Sequence, residues 1–331
     1  MTSPPLFSLE SVSVRFPVGR RRHVTAVDRV SLDLFEGETL GLIGESGSGK
    51  STVARAAIGL APVSAGTVRW RGQDVASFAG KERRRFTESV QMVFQDPHSA
   101  LDPRRTILQS VREPLDVMRR GEKREREQIA VKALEDVGLS AQFLARYPHQ
   151  LSGGQKQRVN IARALVTDPK VLICDESVAA LDVALQAEIL NLLQDLKAEY
   201  ELTVLFISHD LSVVSHLADR ICVMYLGRIV EQATTPSLVD RSLHPYSEAL
   251  LSAQPLVHQS SAHRRIVLSG DIPSPLSPPP GCRFSTRCPH VIDSCRSTVP
   301  ELAEVGHGHD SACLRTAELY GRERPVDREA S

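Results

Sequence analysis

The sequence lacks three things that would each have set its class. It has no apolar run approaching the ~18–20 residues that cross a bilayer, so no membrane-spanning subunit is expected from it. It has no excess of either charge: 40 Lys and Arg face 40 Asp and Glu. That removes any general electrostatic reason to bind nucleic acid or an anionic membrane. It also lacks a basic N-terminal segment followed by an apolar core; the Met-Thr-Ser-Pro-Pro opening does not read as a secretory signal. A cytosolic compartment is therefore expected, where structural disulfides are rare and clustered cysteines point to metal or redox chemistry. No long internal repeat is visible, so one copy of the core unit is expected. The apolar and charged fractions, 41% and 24%, exclude a disordered or collagen-like chain. The 331 residues exceed what one hydrophobic core usually supports.

Hydrophobic periodicity places the elements. Leu9, Val12 and Val14 sit among polar neighbours as in a strand over 8–16. Residues 39–43 read as a buried strand, followed by small residues at 44–49 and a helix from Lys50 to about Leu60. Residues 66–76 read as a short hairpin. Charged, helix-forming sequence fills about 100–165, and its mixed-sign run at 119–127 reads as a solvated helix face or turn. Residues 170–175, a helix carrying Ile189, Leu192, Leu193 and Leu196, and the apolar run 202–207 form a βαβ unit. A hairpin is expected around Gly227. Five prolines between Asp271 and Pro280 read as an extended linker.

The chemistry begins at Gly44–Glu45–Ser46–Gly47–Ser48–Gly49–Lys50–Ser51, which fits the Walker A pattern between a strand and a helix. Glycines let successive backbone N–H groups turn toward one anion, and the helix N-terminus adds a favourable dipole. Lys50 is expected on the β- and γ-phosphates, and the Ser51 hydroxyl on Mg²⁺. Asp175, at the end of an apolar strand, reads as the Walker B acid holding Mg²⁺ through water. Glu176 beside it reads as the general base for an attacking water.

Leu151–Ser152–Gly153–Gly154–Gln155 resembles the signature motif of the ATP-binding cassette (ABC) ATPases. Other elements of that family follow in order. Gln95, in Val93–Phe94–Gln95–Asp96–Pro97, resembles the glutamine of the Q-loop. Ala180–Leu181–Asp182 resembles the D-loop, and His209 the switch histidine. Phe16 is the candidate for stacking on adenine. The resemblance covers about residues 6–250. It implies an α/β fold, a P-loop NTPase cassette with a parallel core sheet, an antiparallel β subdomain and a helical subdomain at about 96–165. It implies ATP and Mg²⁺ as ligands. The nucleotide set is Phe16, Gly44, Ser46, Gly47, Ser48, Gly49, Lys50, Ser51, Thr52, Gln95 and Asp175. To these the resemblance adds Ser152, Gly153, Gly154, Gln155 and Asp182. Glu176, Gln95 and His209 are the catalytic set, and Ser51, Gln95 and Asp175 the Mg²⁺ set. The family uses its signature in trans, so a second ATPase subunit, identical or paralogous, is implied. One departure is Ser177, where the family most often has Pro after the glutamate.

Arg146–Tyr147–Pro148–His149–Gln150, the Gln91–Pro97 segment with Leu101–Asp102–Pro103–Arg104, and His244–Pro245–Tyr246–Ser247–Glu248–Ala249–Leu250–Leu251 are similar to the oligopeptide/dipeptide importer ATPases. The division expected is a cassette at 6–255 and a small Cys-rich C-terminal extension at 256–331. The extension holds Cys282, Cys288, Cys295 and Cys313, spaced by five, six and seventeen residues. Thiolates suit zinc and iron–sulfur clusters alike, but the tight Cys-x₂₋₄-Cys pairs of structural zinc are absent. In the resembling importers this pattern accompanies a [4Fe–4S] cluster; Zn²⁺ and free cysteines are the alternatives. His290, His307 and His309 read as exposed, and Cys174 and Cys222 as inert core residues.

The resemblance implies a peripheral ATPase on the cytoplasmic face of the cell membrane, energising uptake of di- or oligopeptides. Two permease subunits and an extracytoplasmic substrate-binding protein are its implied partners. The same ATPase role for nickel or glutathione is the alternative. A soluble ABC ATPase acting on ribosomes or DNA is a different class. Ribosome-associated members generally carry two cassettes, and DNA-repair members a long coiled-coil insertion; neither is present, and no nucleic acid is expected.

Overall fold

The computed structural model describes residues 4–19, 22–97, 99–179, 181–253, 266–306 and 308–321. At the N-terminus, β1 (Phe7–Val18) and β2 (Arg22–Leu34) form a long antiparallel hairpin. Leu9, Val12 and Val14 are all buried, but strict alternation would split Leu9 from Val12; a register shift between them, with Ser11 at φ +49°, brings all three inward. After β3 (Thr39–Ile43), the phosphate loop and α1 (Lys50–Ala57), the strands β4 (Ala65–Trp70) and β5 (Gln73–Asp74) complete a four-stranded sheet in the order β2-β1-β4-β5. The hairpin expected over 66–76 is therefore present, and the second half of β2 alternates cleanly, with Val30, Leu32 and Leu34 buried and Ser31 and Asp33 exposed.

Next come α2 (Gly80–Ser89) and β6 (Val90–Val93), then α3 (Ile107–Met118), α4 (Lys123–Asp136) and α5 (Gly153–Leu165), which pack on one another. The mixed-sign run is not merely a solvated face. Arg112 of α3 pairs with Glu127 of α4 and with Asp116, and Arg126 reaches back to Asp116. Arg112 and Arg126 are less than a fifth exposed, so these charges tie two helices together.

The main sheet continues with β7 (Val171–Asp175), α6 (Val183–Glu199), β8 (Thr203–Ser208), α7 (Leu211–Leu217), β9 (Arg220–Tyr225) and β10 (Arg228–Thr234). Strands β9, β3, β8, β7 and β6 run parallel in that order, and β10 pairs antiparallel to β9 around Gly227. The central strands are apolar without alternation because both faces are covered. Leu205 and Ile207 face the N-terminal sheet and α1, whereas Val204 and Phe206 face the helices. No helix among the described residues is long and apolar enough to cross a membrane.

After α8 (Thr235–Asp240) and α9 (Pro245–Ser252), the expected boundary at 255/256 lies outside the described residues. The proline-rich stretch has no helix or strand. Then come α10 (Asp293–Ser297), β11 (Ala303–Gly306), β12 (His309–Ser311) and α11 (Thr316–Leu319). Here the structure departs from a simple appendage. β12 pairs with β10, and β11 with β12, so the last strands extend the main sheet to eight. His309, expected to be exposed, is 2% exposed. Its Nε2 lies 2.7 Å from the buried Glu231 carboxylate and its Nδ1 3.0 Å from the Ser237 hydroxyl. The sheet edge that β12 covers supplies that burial. His290 is half-buried, and His307 lies outside the described residues.

Candidate functional site

The site lies at the carboxyl ends of β3, β7 and β8, where an open parallel sheet presents its loops. The phosphate loop leaves β3 through Gly44, whose φ is +156°; Gly49, at φ +106°, precedes α1. A Cβ at Gly44 would stand 2.1 Å from the Met224 carbonyl oxygen, and one at Gly49 2.3 Å from that of Ala26. Both glycines are thus required by backbone conformation and by close approach. The loop is tied down by backbone bonds: Gly227 N–H donates to the Ser48 carbonyl (2.7 Å), and Ser48 N–H to that of Glu45 (3.1 Å). Ser46 and Gly47 are exposed, whereas the Ser48 side chain is buried.

Lys50, only 3% exposed, curls over the loop it follows. Its ammonium donates to the carbonyls of Gly44 (2.8 Å) and Glu45 (3.1 Å). Burial lowers its pKa, and the carboxylates of Glu176, Asp175 and Glu45 oppose that shift. Ser51, one residue on, donates its hydroxyl to Asp175 Oδ1 at 2.7 Å. Asp175 is 1% exposed, and burial raises its pKa while the Ser51 bond works against this. A hydroxyl and a carboxylate converging at the end of two neighbouring elements make the hard oxygen pair that Mg²⁺ favours. Thr52 follows in α1, half-buried.

Glu176 is the hub. Its Oε2 accepts from Gln95 Nε2 at 2.7 Å. Its Oε1 lies 3.6 Å from Lys50 Nζ and 3.8 Å from His209 Nδ1. Its backbone N–H donates to Ile207 of β8 at 3.0 Å, and its φ is +45°. A non-glycine residue held left-handed costs about 1–3 kcal/mol and persists only where the surroundings impose it. Ser177 beside it is buried. The structure therefore brings together Lys50, Ser51, Gln95, Asp175, Glu176 and His209 from four separate segments of chain.

The signature is positioned differently. Ser152 caps α5: its hydroxyl accepts from Gln155 N–H at 3.3 Å, and Gln155 Oε1 accepts from Ser152 N–H at 3.1 Å. Gly153 and Gly154 pack beside Leu181 and Leu185, at the start of α6. Asp182 caps α6 by accepting from Leu185 N–H at 3.0 Å, while Ala180 lies outside the described residues. α5 packs on α3, α4 and β6, whereas α1 packs on β1, β2 and β7. Signature and phosphate loop thus belong to different packing neighbourhoods of one chain. Phe16 stands on β1, opposite Val24, with 37% of its surface exposed.

Two residues outside the nucleotide motifs complete the phosphate loop. Glu45 N–H donates to the Tyr246 hydroxyl at 2.9 Å. Its carboxylate receives a bidentate pair from Arg287, at 2.7 and 3.1 Å. Tyr246 sits in the His-Pro-Tyr segment, which was a usable signal; nothing local marks Arg287.

Cys282, Cys288, Cys295 and Cys313 line one small pocket with His244, Phe284 and Leu319. All four are free of disulfides. Among the described residues, no three His, Cys, Asp or Glu side chains converge as ligands of a single metal ion. Cys174 and Cys222 are fully buried, and burial pushes each thiol up to about 12, so both are inert core residues as expected.

Residues 27–179 match the family model described as ABC transporter. Residues 230–295 match the model of the oligopeptide/dipeptide transporter C-terminal region. A Brucella ovis protein provisionally assigned as a peptide import ATP-binding protein is 47% identical over 315 residues, covering 95% of this chain and 99% of the relative. The oligopeptide transport ATP-binding protein AppF of Bacillus subtilis is 46% identical over 293 residues, 88% of this chain and 89% of its own. Among solved structures, the dimeric post-hydrolysis state of the ATP-binding cassette MJ0796, bound to ADP and Pi, superposes with a TM-score of 0.63 at 31% identity; it covers 69% of this chain and 98% of that one. The structure of CbiO1 from Clostridium perfringens, part of an ABC transporter complex, gives 0.64 at 26% identity, with coverage of 76% and 96%.

Proposed function

Because the chain belongs to the ABC transporter family and carries the C-terminal region of its oligopeptide/dipeptide branch, we propose that it is the ATPase subunit of a peptide importer, with its catalytic centre built around Glu176. The observation that carries the catalytic assignment is the convergence of Lys50, Gln95 and His209 on that one carboxylate.

The ammonium of Lys50 exchanges the Gly44 and Glu45 carbonyls for the β- and γ-phosphate oxygens of ATP, a better match for a desolvated cation. Ser51 and Asp175 hold Mg²⁺, which neutralises charge on the phosphates. Glu176 accepts the proton of the attacking water, and Gln95 and His209 orient it from two sides. Phe16 is the exposed aromatic available to adenine. The signature residues Ser152, Gly153, Gly154 and Gln155, and Asp182 of the D-loop, act on the nucleotide held by a second ATPase subunit. Their separate packing within this chain supports that reading, as does the dimeric state of MJ0796. Two permease subunits and an extracytoplasmic binding protein complete the transporter, and the chain works at the cytoplasmic face of the membrane. Purification from membranes should recover this chain with two polytopic subunits, and peptide-loaded binding protein should raise ATP turnover. Recovery with ribosomes instead would refute the transport reading.

The four cysteines form a [4Fe–4S] site in this reading. Their shared pocket is what supports it. Cys282, Cys288, Cys295 and Cys313 would hold the cluster through their thiolates, which would tie together the segments that carry them. Protein prepared without oxygen should be brown and contain iron and sulfide, and Cys295→Ser should lose the colour. Colourless protein with stoichiometric zinc would reverse the assignment.

A further inference from the structure

The loop between the first two cysteines carries two arginines, and both leave the cysteine pocket for the cassette. Arg283 donates to the Leu226 carbonyl and to Asp28 of β2. Arg287, 8% exposed, donates bidentately to Glu45 inside the phosphate loop, with its Nη1 also 3.5 Å from the Tyr225 hydroxyl. The loop has a fixed shape. Ser285 N–H donates to the Cys282 carbonyl (3.0 Å), Arg287 N–H to that of Phe284 (3.0 Å), and Cys282 N–H to that of Cys295 (2.8 Å). Phe284, 1% exposed, is wedged against Tyr225 and Tyr246.

Glu45 poses an electrostatic problem. It places a carboxylate in the loop that must receive a polyphosphate, and at low local dielectric that charge repels the ligand. A bidentate guanidinium both cancels the charge and fixes the carboxylate plane. We propose that Arg287 is a positioning residue of the nucleotide site: it neutralises and holds Glu45, so that the cysteine-bearing segment sets the affinity of the phosphate loop for ATP. This goes beyond the transport reading, because it needs only ATP binding by this chain and holds whatever solute is carried.

The test uses the full chain and measures ATPase kinetics and binding of a fluorescent ATP analogue. Arg287→Gln should raise KM and Kd for ATP by about three- to tenfold, less than the loss of a direct charge-assisted contact because Arg287 acts through Glu45, with kcat at saturating ATP close to wild type. Arg287→Lys keeps the charge but not the fork and should fall between. The double variant Glu45→Gln/Arg287→Gln should return Kd to within about twofold of wild type, because the uncompensated carboxylate is gone. A purely structural arginine would show no such rescue. Tyr320→Phe, which loosens the extension elsewhere by losing the bond to Glu248, should leave Kd unchanged. Unchanged Kd in Arg287→Gln, or a double variant as weak as the single, overturns the proposal. If Arg287→Gln does not fold, Glu45→Gln alone decides. It leaves a surplus positive charge at the loop, so its Kd must stay level or fall; a rise overturns the proposal.

Discussion

Replacing Glu176 by Gln is expected to leave ATP binding intact and lower kcat by roughly 10²–10⁴-fold, the usual contribution of a general base. The glutamine is nearly isosteric and still presents an oxygen to Gln95, whose Nε2 lies 2.7 Å from the carboxylate in the native site. What it loses is the negative charge that accepts the proton from water. The ATP-bound state should then persist, and with it the proposed dimer with a second ATPase subunit. Single-turnover hydrolysis, read beside size-exclusion chromatography in ATP, separates the two effects. Normal turnover would remove Glu176 as the base and leave its left-handed backbone, at φ +45°, without a catalytic reason.

Lys50→Ala should act on binding rather than on chemistry. Lys50 is buried, and two loop carbonyls hold its ammonium until phosphate replaces them. Hydrogen bonds to charged groups contribute about 1.5–3 kcal/mol, so ATP affinity should fall by about tenfold to a hundredfold. Equilibrium binding of a fluorescent analogue gives the answer. An unaltered Kd would mean that the phosphates sit elsewhere. The two variants thus fail in opposite ways, Glu176→Gln holding ATP without cleaving it and Lys50→Ala failing to hold it.

Residues 44–51 could be read directly because a phosphate loop is built from consecutive residues whose backbone does the binding. Asp175 and Glu176 were readable for a related reason: an apolar strand ending in acids, paired with that loop, has few other uses. The signature declared itself as a helix cap, and the capping box of Ser152 and Gln155 is the structure of that motif. The run at 119–127 is mostly the solvated turn and helix start that its mixed signs suggest, Arg119 to Glu125 being exposed; what its signs could not show is that Arg126 and Glu127, at its end, pair with Arg112 and Asp116 of α3. His309 misled, because a single histidine in polar sequence carries no sign that β10 will cover it.

The absences in the sequence retain their meaning, in narrower form. No apolar run in the sequence approaches a membrane span, and no helix among the described residues is long and apolar enough to cross one. By itself the sequence determined the local chemistry: the phosphate loop, the acids at the end of β7 and the signature cap. Each depends on neighbours a few residues apart. Only the tertiary structure decided which distant side chains meet. It brought Gln95 and His209 to Glu176, docked β12 on β10, and put Arg287 onto Glu45, 242 positions away. Such pairings follow from the packing of whole elements against one another. A lone arginine or histidine in the sequence carries no mark of the partner that packing will give it.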